Sequence, residues 1–154
     1  MVCSLDANSI MSFKPLSFES MVERADAIAL VKIIEVKRIV GKYPDQAYRK
    51  EIIIEVLDPI YNMKKGNVVI LIGYYGLRGS ELKFDAVGAE AIVLMTRAKN
   101  ANESNKIYHS AGLNDAVYNK LLDNSIERLG FWGRSVSYKK AKSKIMNELA
   151  KKRN

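Results

Sequence analysis

Cysteine and histidine are nearly missing from this chain of 154 residues: each occurs once, as Cys3 and His109. A lone cysteine excludes an internal disulfide, so Cys3 is a free thiol, a lipid-modified residue or half of a bridge to another chain. A zinc site takes about three or four protein ligands, and one cysteine and one histidine at no usable spacing do not supply them. No apolar run approaches the ~20 residues that a membrane-spanning helix needs. The first residues lack the basic start and apolar block of a signal peptide, so export would require a leader ahead of the present Met1. There are no internal repeats and no low-complexity stretches.

Acidic residues are scarce at one end only. Eight basic residues and a single acid, Glu148, lie between Arg134 and Asn154, whereas the rest of a chain carrying +8 overall is close to neutral. The basicity therefore belongs to the tail, and a near-neutral body lacks the long basic groove of a single-strand binder. Hydrophobic residues make up 48% and charged residues 27%, the balance of one globular domain large enough to bury a core.

Periodicity organises what is present. Residues 1–14 carry no period and read as a flexible arm. Ser17 is an N-cap for a short helix in which Phe18, Met21, Val22 and Ala25 form an apolar stripe. Ala27 to Val40 is a long strand whose apolar face changes sides, the mark of a bend or bulge. Tyr48 to Leu57 alternates, with Ile52, Ile54 and Val56 facing in, and Asp58-Pro59 is expected to end it. Val68 to Tyr75 and Ala89 to Thr96 are continuous apolar runs, which predicts burial on both faces. Gly41 to Asp45, Lys64 to Asn67 and Gly76 to Ser80 are turns. Leu82 to Phe84 is a short extended piece, and Lys106 to Ala111 is a fifth strand. Val117, Leu121, Leu122, Ile126 and Leu129 then follow at helical spacing after Asn114-Asp115, with Gly130 as a stop. A last helix from about Ser137 carries Tyr138, Ala141, Ile145 and Leu149 on a narrow stripe.

A helix followed by five strands predicts a mainly β (α+β) fold: a five-stranded antiparallel barrel of the oligonucleotide/oligosaccharide-binding (OB) type, with two C-terminal helices. The expected layout is an arm at 1–14, a barrel at 15–112 and a helical extension at 113–154 packed on it. Several segments also resemble bacterial exported proteins whose fold is similar to the tissue inhibitors of metalloproteinases (TIMP-like). They are Ser17 to Ile28 ahead of the strand at Ile33 to Val36, Ile53 to Leu57 ahead of Lys64 to Asn67, and Val87-Gly88 ahead of Ala91 to Met95. The resemblance covers about half the chain. It implies an exported or lipid-anchored barrel, mostly of unassigned function in that group. In the inhibitors a processed N-terminal cysteine chelates the target's zinc. Cys3 matches by position but follows Met1 and Val2 and has no disulfide partner, so inhibition is not carried over. Cys3 is instead read as a lipidation site or a free thiol.

The candidate chemistry is thin. His109 could pair with Cys3, but no orienting third group is identifiable, and an ordinary strand histidine is the plainer reading. Gly73 to Gly79 resembles a phosphate loop, yet no helix follows it. Glu51, Glu55, Asp58, Glu81, Asp85 and Glu90 read as solvated carboxylates, and Asn102 to Ser104 as a chance sequon. Tyr74 and Tyr75, with Arg78, are candidate ligand-face residues. Lys139, Lys140, Lys142, Lys144, Lys151, Lys152 and Arg153 are a candidate anion- or surface-binding set. The plainer readings are that the tyrosines complete a strand and the lysines solubilise a helix. The expectation is a non-enzymatic binding protein with no cofactor and no metal. It acts outside the cytoplasm on a protein partner or surface; the alternative is a cytoplasmic nucleic-acid module using the basic helix.

Overall fold

A computed structural model describes residues 16–40, 49–74, 81–98, 106–127 and 134–153. The fold is mostly β. Helix α1 (Phe18–Arg24) starts where the Ser17 hydroxyl accepts the Ser20 N–H at 3.1 Å. Strands β1 (Ala27–Ile39), β2 (Arg49–Tyr61), β3 (Val68–Tyr74), β4 (Glu90–Arg97) and β5 (Ile107–Ser110) follow. They close into a five-stranded barrel in the order β1-β2-β3-β5-β4, with β4 returning to pair with β1. Every pairing in this ring is antiparallel except β3 with β5.

Closure depends on β1, which pairs along its length with β2 and through its first half with β4. Register shifts at Ile28/Ala29, Leu30/Val31 and Ile33/Glu35 bend it, as its change of apolar face predicts. The last shift leaves Ile34 exposed and returns Val36 to the inner core. Ala29, Val31, Ile33, Ile52, Ile54, Val56, Val69, Leu71, Val93 and Met95 fill the interior. Their exposure is at most 3%, so the barrel is packed solid and holds no lumen.

A second core lies outside the barrel wall. Ile28, Leu30, Ile92 and Leu94 point outward from β1 and β4 beneath α1 and the last helix, α2 (Tyr138–Arg153). Phe18, Met21 and Val22 meet Ala141, Ile145 and Leu149 there, and the Phe18 ring sits edge-on to Tyr118. β4 is thus buried on both faces, as its continuous apolar run predicts. β3 is not: Val69, Leu71 and Gly73 face in, but Val68 and Tyr74 are exposed and Ile70 and Ile72 half-buried. No helix among the described residues packs on that side.

Two further expectations are corrected. Asp58-Pro59 does not end β2, which runs on to Tyr61. The register shift beside Leu30/Val31 leaves Leu57 as an extra residue and sets Pro59 opposite Ala29, and a bulged, one-sided pairing tolerates a residue with no N–H. The helix expected after Asn114 is replaced by a 3-10 turn (Leu113–Ala116), a strand β6 (Val117–Asn119) and a small hairpin of β7 (Ser125–Ile126) with β8 (Val136–Ser137). β4 offers an open ladder, and Val117, Tyr118 and Asn119 take it by pairing with Val93, Ile92 and Ala91. The turn at Asn124, with φ of 67°, then reverses the chain. Leu122 ends fully exposed while Ile126 is buried, so their helical spacing is coincidental.

Candidate interaction surfaces and a buried ion cluster

Lys50 is the one charged side chain buried among the described residues. Strand alternation places it in phase with Ile52, Ile54 and Val56, facing the barrel axis at one end. Its ammonium donates to Glu81 Oε1 at 2.8 Å, Asp85 Oδ2 at 2.8 Å and the Leu82 carbonyl at 3.1 Å. Arg38, opposite Lys50 on β1, reaches the same Asp85 oxygen at 3.1 Å. Two cations thus meet two carboxylates, which is what makes a buried ammonium tolerable. Burial by itself would lower the Lys50 pKa. The hydrogen bonds to Asp85 and Glu81 and their charges outweigh it and hold the value above the ordinary 10.5.

These contacts fasten residues 81–85 across the barrel mouth. Leu82 and Phe84 drop into the inner core. Asn114 clamps the same segment from outside, accepting the Lys83 N–H and donating to the Glu81 carbonyl, each at 2.8 Å. Gly73 makes room for the plug, since a Cβ there would lie 2.9 Å from Leu82 Cβ. Glu81 and Asp85 are therefore fastening groups as well as partly solvated carboxylates, bonded to Lys50, with Asp85 also bonded to Arg38.

His109 lies on β5 opposite Thr96 of β4 and Ile72 of β3, half-buried. Burial, followed by the nearby Arg49 charge, pushes its pKa below 6.5, so it is neutral at pH 7. Arg49 pairs with Glu51 at 2.9 Å and stands opposite Tyr74. The outer side of β2, β3 and β5 is thus an apolar strip of Ile70, Ile72, Val68 and Tyr74, edged by Arg49, Glu51 and His109. Tyr74 sits on this strip, exposed at the end of β3. Cys3, Tyr75, Arg78, the 1–14 arm and the sequon lie outside the described residues.

The basic helix lies elsewhere. α2 is capped by Ser137, whose hydroxyl accepts the Lys140 N–H at 3.2 Å. Lys142 bonds Asp58 Oδ2 at 2.9 Å, and the Tyr138 hydroxyl donates to the same oxygen. Burial would raise the Asp58 pKa, but the bonds from Tyr138 and Lys142 and the charges of Lys142 and Lys65 hold it below 3.8. Lys144 lies over the Phe18 ring at 5.1 Å. Lys152 donates to the Ala25 carbonyl at 3.2 Å and lies 5.4 Å from the Tyr61 ring centre. Lys151 pairs with Glu148 at 2.9 Å. Four of the candidate lysines thus have intramolecular partners, whereas Lys139 and Lys140 point into solvent; Arg153 closes the helix backbone. Asp58 is separated from Arg49 by roughly 30 Å of strand at ~3.3 Å per residue, so Tyr74 and the start of α2 do not form one surface.

No group of three or more histidine, cysteine, aspartate or glutamate side chains among the described residues could hold a metal ion, and no helix there is long and apolar enough to cross a membrane. No family model matches the chain, and no curated protein matches it either.

Proposed function

We propose that this chain is an OB-type binding module that acts through protein–protein or surface contacts rather than catalysis. The observation behind the reading is the contrast between β3 and β4. Both are continuous apolar runs, yet helices cover the outer face of β4 while Val68 and Tyr74 on β3 stand 46% and 41% exposed. A contiguous apolar strip edged by charge is the composition of a contact surface. The strand order, with β3 and β5 parallel, supports the OB label, and the filled interior directs binding to the outside. Export or lipid anchoring through Cys3, with the leader removed, belongs to the same proposal and rests on the resemblance to TIMP-like exported proteins.

The second reading, nucleic-acid or anionic-surface binding by α2, has one observation in its favour. Lys139 and Lys140 sit in the first turn of the helix, where the macrodipole disfavours cations, so helix stability does not explain them. A photo-crosslinking residue placed at Val68, at Tyr74 and at Asn147 in the native host separates the readings. The proposal expects a discrete protein adduct from the two β3 positions and none from Asn147. Adducts only from Asn147, or only to nucleic acid, would overturn it. Fractionation of the same cells tests the location, with the chain expected outside the cytoplasm.

A further inference from the structure

We propose that the end of the barrel bearing the β2–β3 turn is a cationic face that lies on an anionic lipid surface. A ring of contacts builds this end. The Asn62 amide donates to the Asp26 carbonyl at 2.9 Å, and the Asp26 carboxylate accepts the Arg97 N–H at 2.8 Å, tying the start of β1 to the turn and to the end of β4. Ala98 donates its N–H to the Ile107 carbonyl at 3.0 Å, and the Ile70 N–H reaches the Lys106 carbonyl at 2.8 Å. The Asn67 N–H closes the turn on the Lys64 carbonyl at 3.2 Å. Lys64, Lys65, Arg97 and Lys106 stand on this ring, all exposed. Lys152, in the last turn of α2, adds its ammonium at the Ala25 carbonyl, one residue before Asp26. The acids of these segments are largely spoken for: Glu23 is offset by its neighbour Arg24, Asp58 is bonded to Lys142, and Glu148 to Lys151. Only Asp26 is left to oppose the five cations, and none of the five is in an ion pair among the described residues. The opposite mouth is balanced, Lys50 and Arg38 meeting Glu81 and Asp85. A body that is near neutral in total therefore carries an excess of positive charge at one end.

Three features select a lipid surface as the occupant. The cations ring a closed end, where Met63 of the turn packs against the inner core. A rim of charge around a filled end matches a plane of headgroup phosphates, whereas a duplex offers a line of charge to only part of the ring. Stacking aromatics are absent from it: the Tyr61 ring lies beneath the Lys152 ammonium at 5.4 Å, and the exposed Tyr74 ends β3 roughly 20 Å from Val68 at ~3.3 Å per residue. A single strand needs cations and aromatics in one groove. Four of the five cations are lysines, point charges that suit a fluid headgroup layer better than the fixed geometry an arginine fork reads. The contact is electrostatic, and each cation near the surface strengthens it about fivefold. This inference goes beyond the β3 reading and does not rest on it. With the ring on the bilayer, β3 leads away from the membrane and its Tyr74 end stays open to a partner.

Sedimentation of the full chain with phosphatidylcholine vesicles, with and without one-third phosphatidylglycerol, tests this. The chain should pellet with the anionic vesicles and stay in solution with the neutral ones. Binding should fade as salt rises, since the screening length shrinks from ~8 Å at physiological strength to ~3 Å at 1 M. Lys64→Gln, Lys65→Gln and Lys106→Gln should each weaken binding about fivefold, and the triple variant about a hundredfold. All three side chains are exposed, so an unchanged circular dichroism spectrum and melting temperature are expected. Lys140→Gln should leave binding unchanged, because two residues of helix turn that exposed side chain away from Lys142. Equal binding to neutral vesicles, or no binding to anionic ones, overturns the proposal. So does a loss from Lys140→Gln as large as that from Lys64→Gln, which would move the contact to the outer face of α2. Tighter binding to a DNA duplex or a single strand than to the anionic vesicles, through the same lysines, overturns it in favour of nucleic acid. None of these variants touches Val68 or Tyr74, so the crosslinking result is read independently.

Discussion

The Lys50 cluster gives the sharpest prediction, because removing the charge and removing its partners should have unequal effects. Glu81→Gln together with Asp85→Asn would strip both counter-charges from an ammonium with 0% exposure. Breaking a buried pair from one side typically costs about 3–5 kcal/mol. Glu81 is 48% exposed and Asp85 26%, so water already screens part of the interaction, and about 2–3 kcal/mol is the better figure. For a chain of this length that lowers Tm by roughly 4–12 °C. Lys50→Met removes the charge and keeps most of the volume. It leaves the Leu82 carbonyl without that donor and frees two carboxylates that reach water, for a loss of about 1 kcal/mol. Combining Lys50→Met with the double substitution should then recover stability relative to the double alone, a non-additive result. Urea unfolding followed by circular dichroism measures all three. If Lys50→Met is the most damaging variant, or gives no rescue, the ammonium is not stabilised by these carboxylates and the reasoning fails.

Further outcomes follow from the same geometry. The Lys50 pKa is raised on folding, so its stabilisation is complete below the unfolded value and disappears as pH rises through and beyond 10.5; Lys50→Met should flatten the alkaline limb of a stability–pH curve. The Asp58 pKa is depressed, so its contribution is present above 3.8 and lost as pH falls below that; Asp58→Asn should flatten the acid limb and leave the alkaline one unchanged. Gly73→Ala should destabilise by about 1–3 kcal/mol through the clash with Leu82, measurable as a shifted urea midpoint with an unchanged slope. Asn114→Ala should speed amide hydrogen exchange at Lys83 while amides of β1 and β2 keep their protection, since it unfastens the plug without touching the ladders.

The barrel strands were legible because inward and outward residues alternate at Ile52, Ile54 and Val56, and because the face change along β1 announces its bulges. Lys50 carries the same signal: it stands two residues before Ile52 and so points inward. Its partners could not be read, since Glu81 and Asp85 lie more than thirty positions away in a segment held by side chains rather than by a ladder. The helix expected after Asn114 failed for a related reason. Val117, Leu121 and Leu122 obey a helical period, but the free edge of β4 exists only once the sheet has formed, and pairing with it outweighs a local preference. The outer face of β3 was misread because an apolar run looks the same whether or not a helix of the chain covers it. The exposure of Tyr74 at the end of β3 was not legible from the run itself. The dispersal of the α2 lysines among Asp58, Phe18, Glu148, Ala25 and Tyr61 depends on tertiary placement alone.

The division into an inner and an outer core has a consequence for biosynthesis. Everything that fills the cylinder has been made by the time Val117 is translated, whereas Ala141, Ile145 and Leu149, which shield Phe18, Ile28, Leu30 and Leu94, arrive last. A nascent polypeptide can thus shut its cylinder and still present a greasy flank to the cytosol. Stalled chains ending before Tyr138 should bind a hydrophobic dye that chains reaching Arg153 exclude, and equal dye binding would show that the two layers form together. During that interval the molecule is an apt client for a holding chaperone.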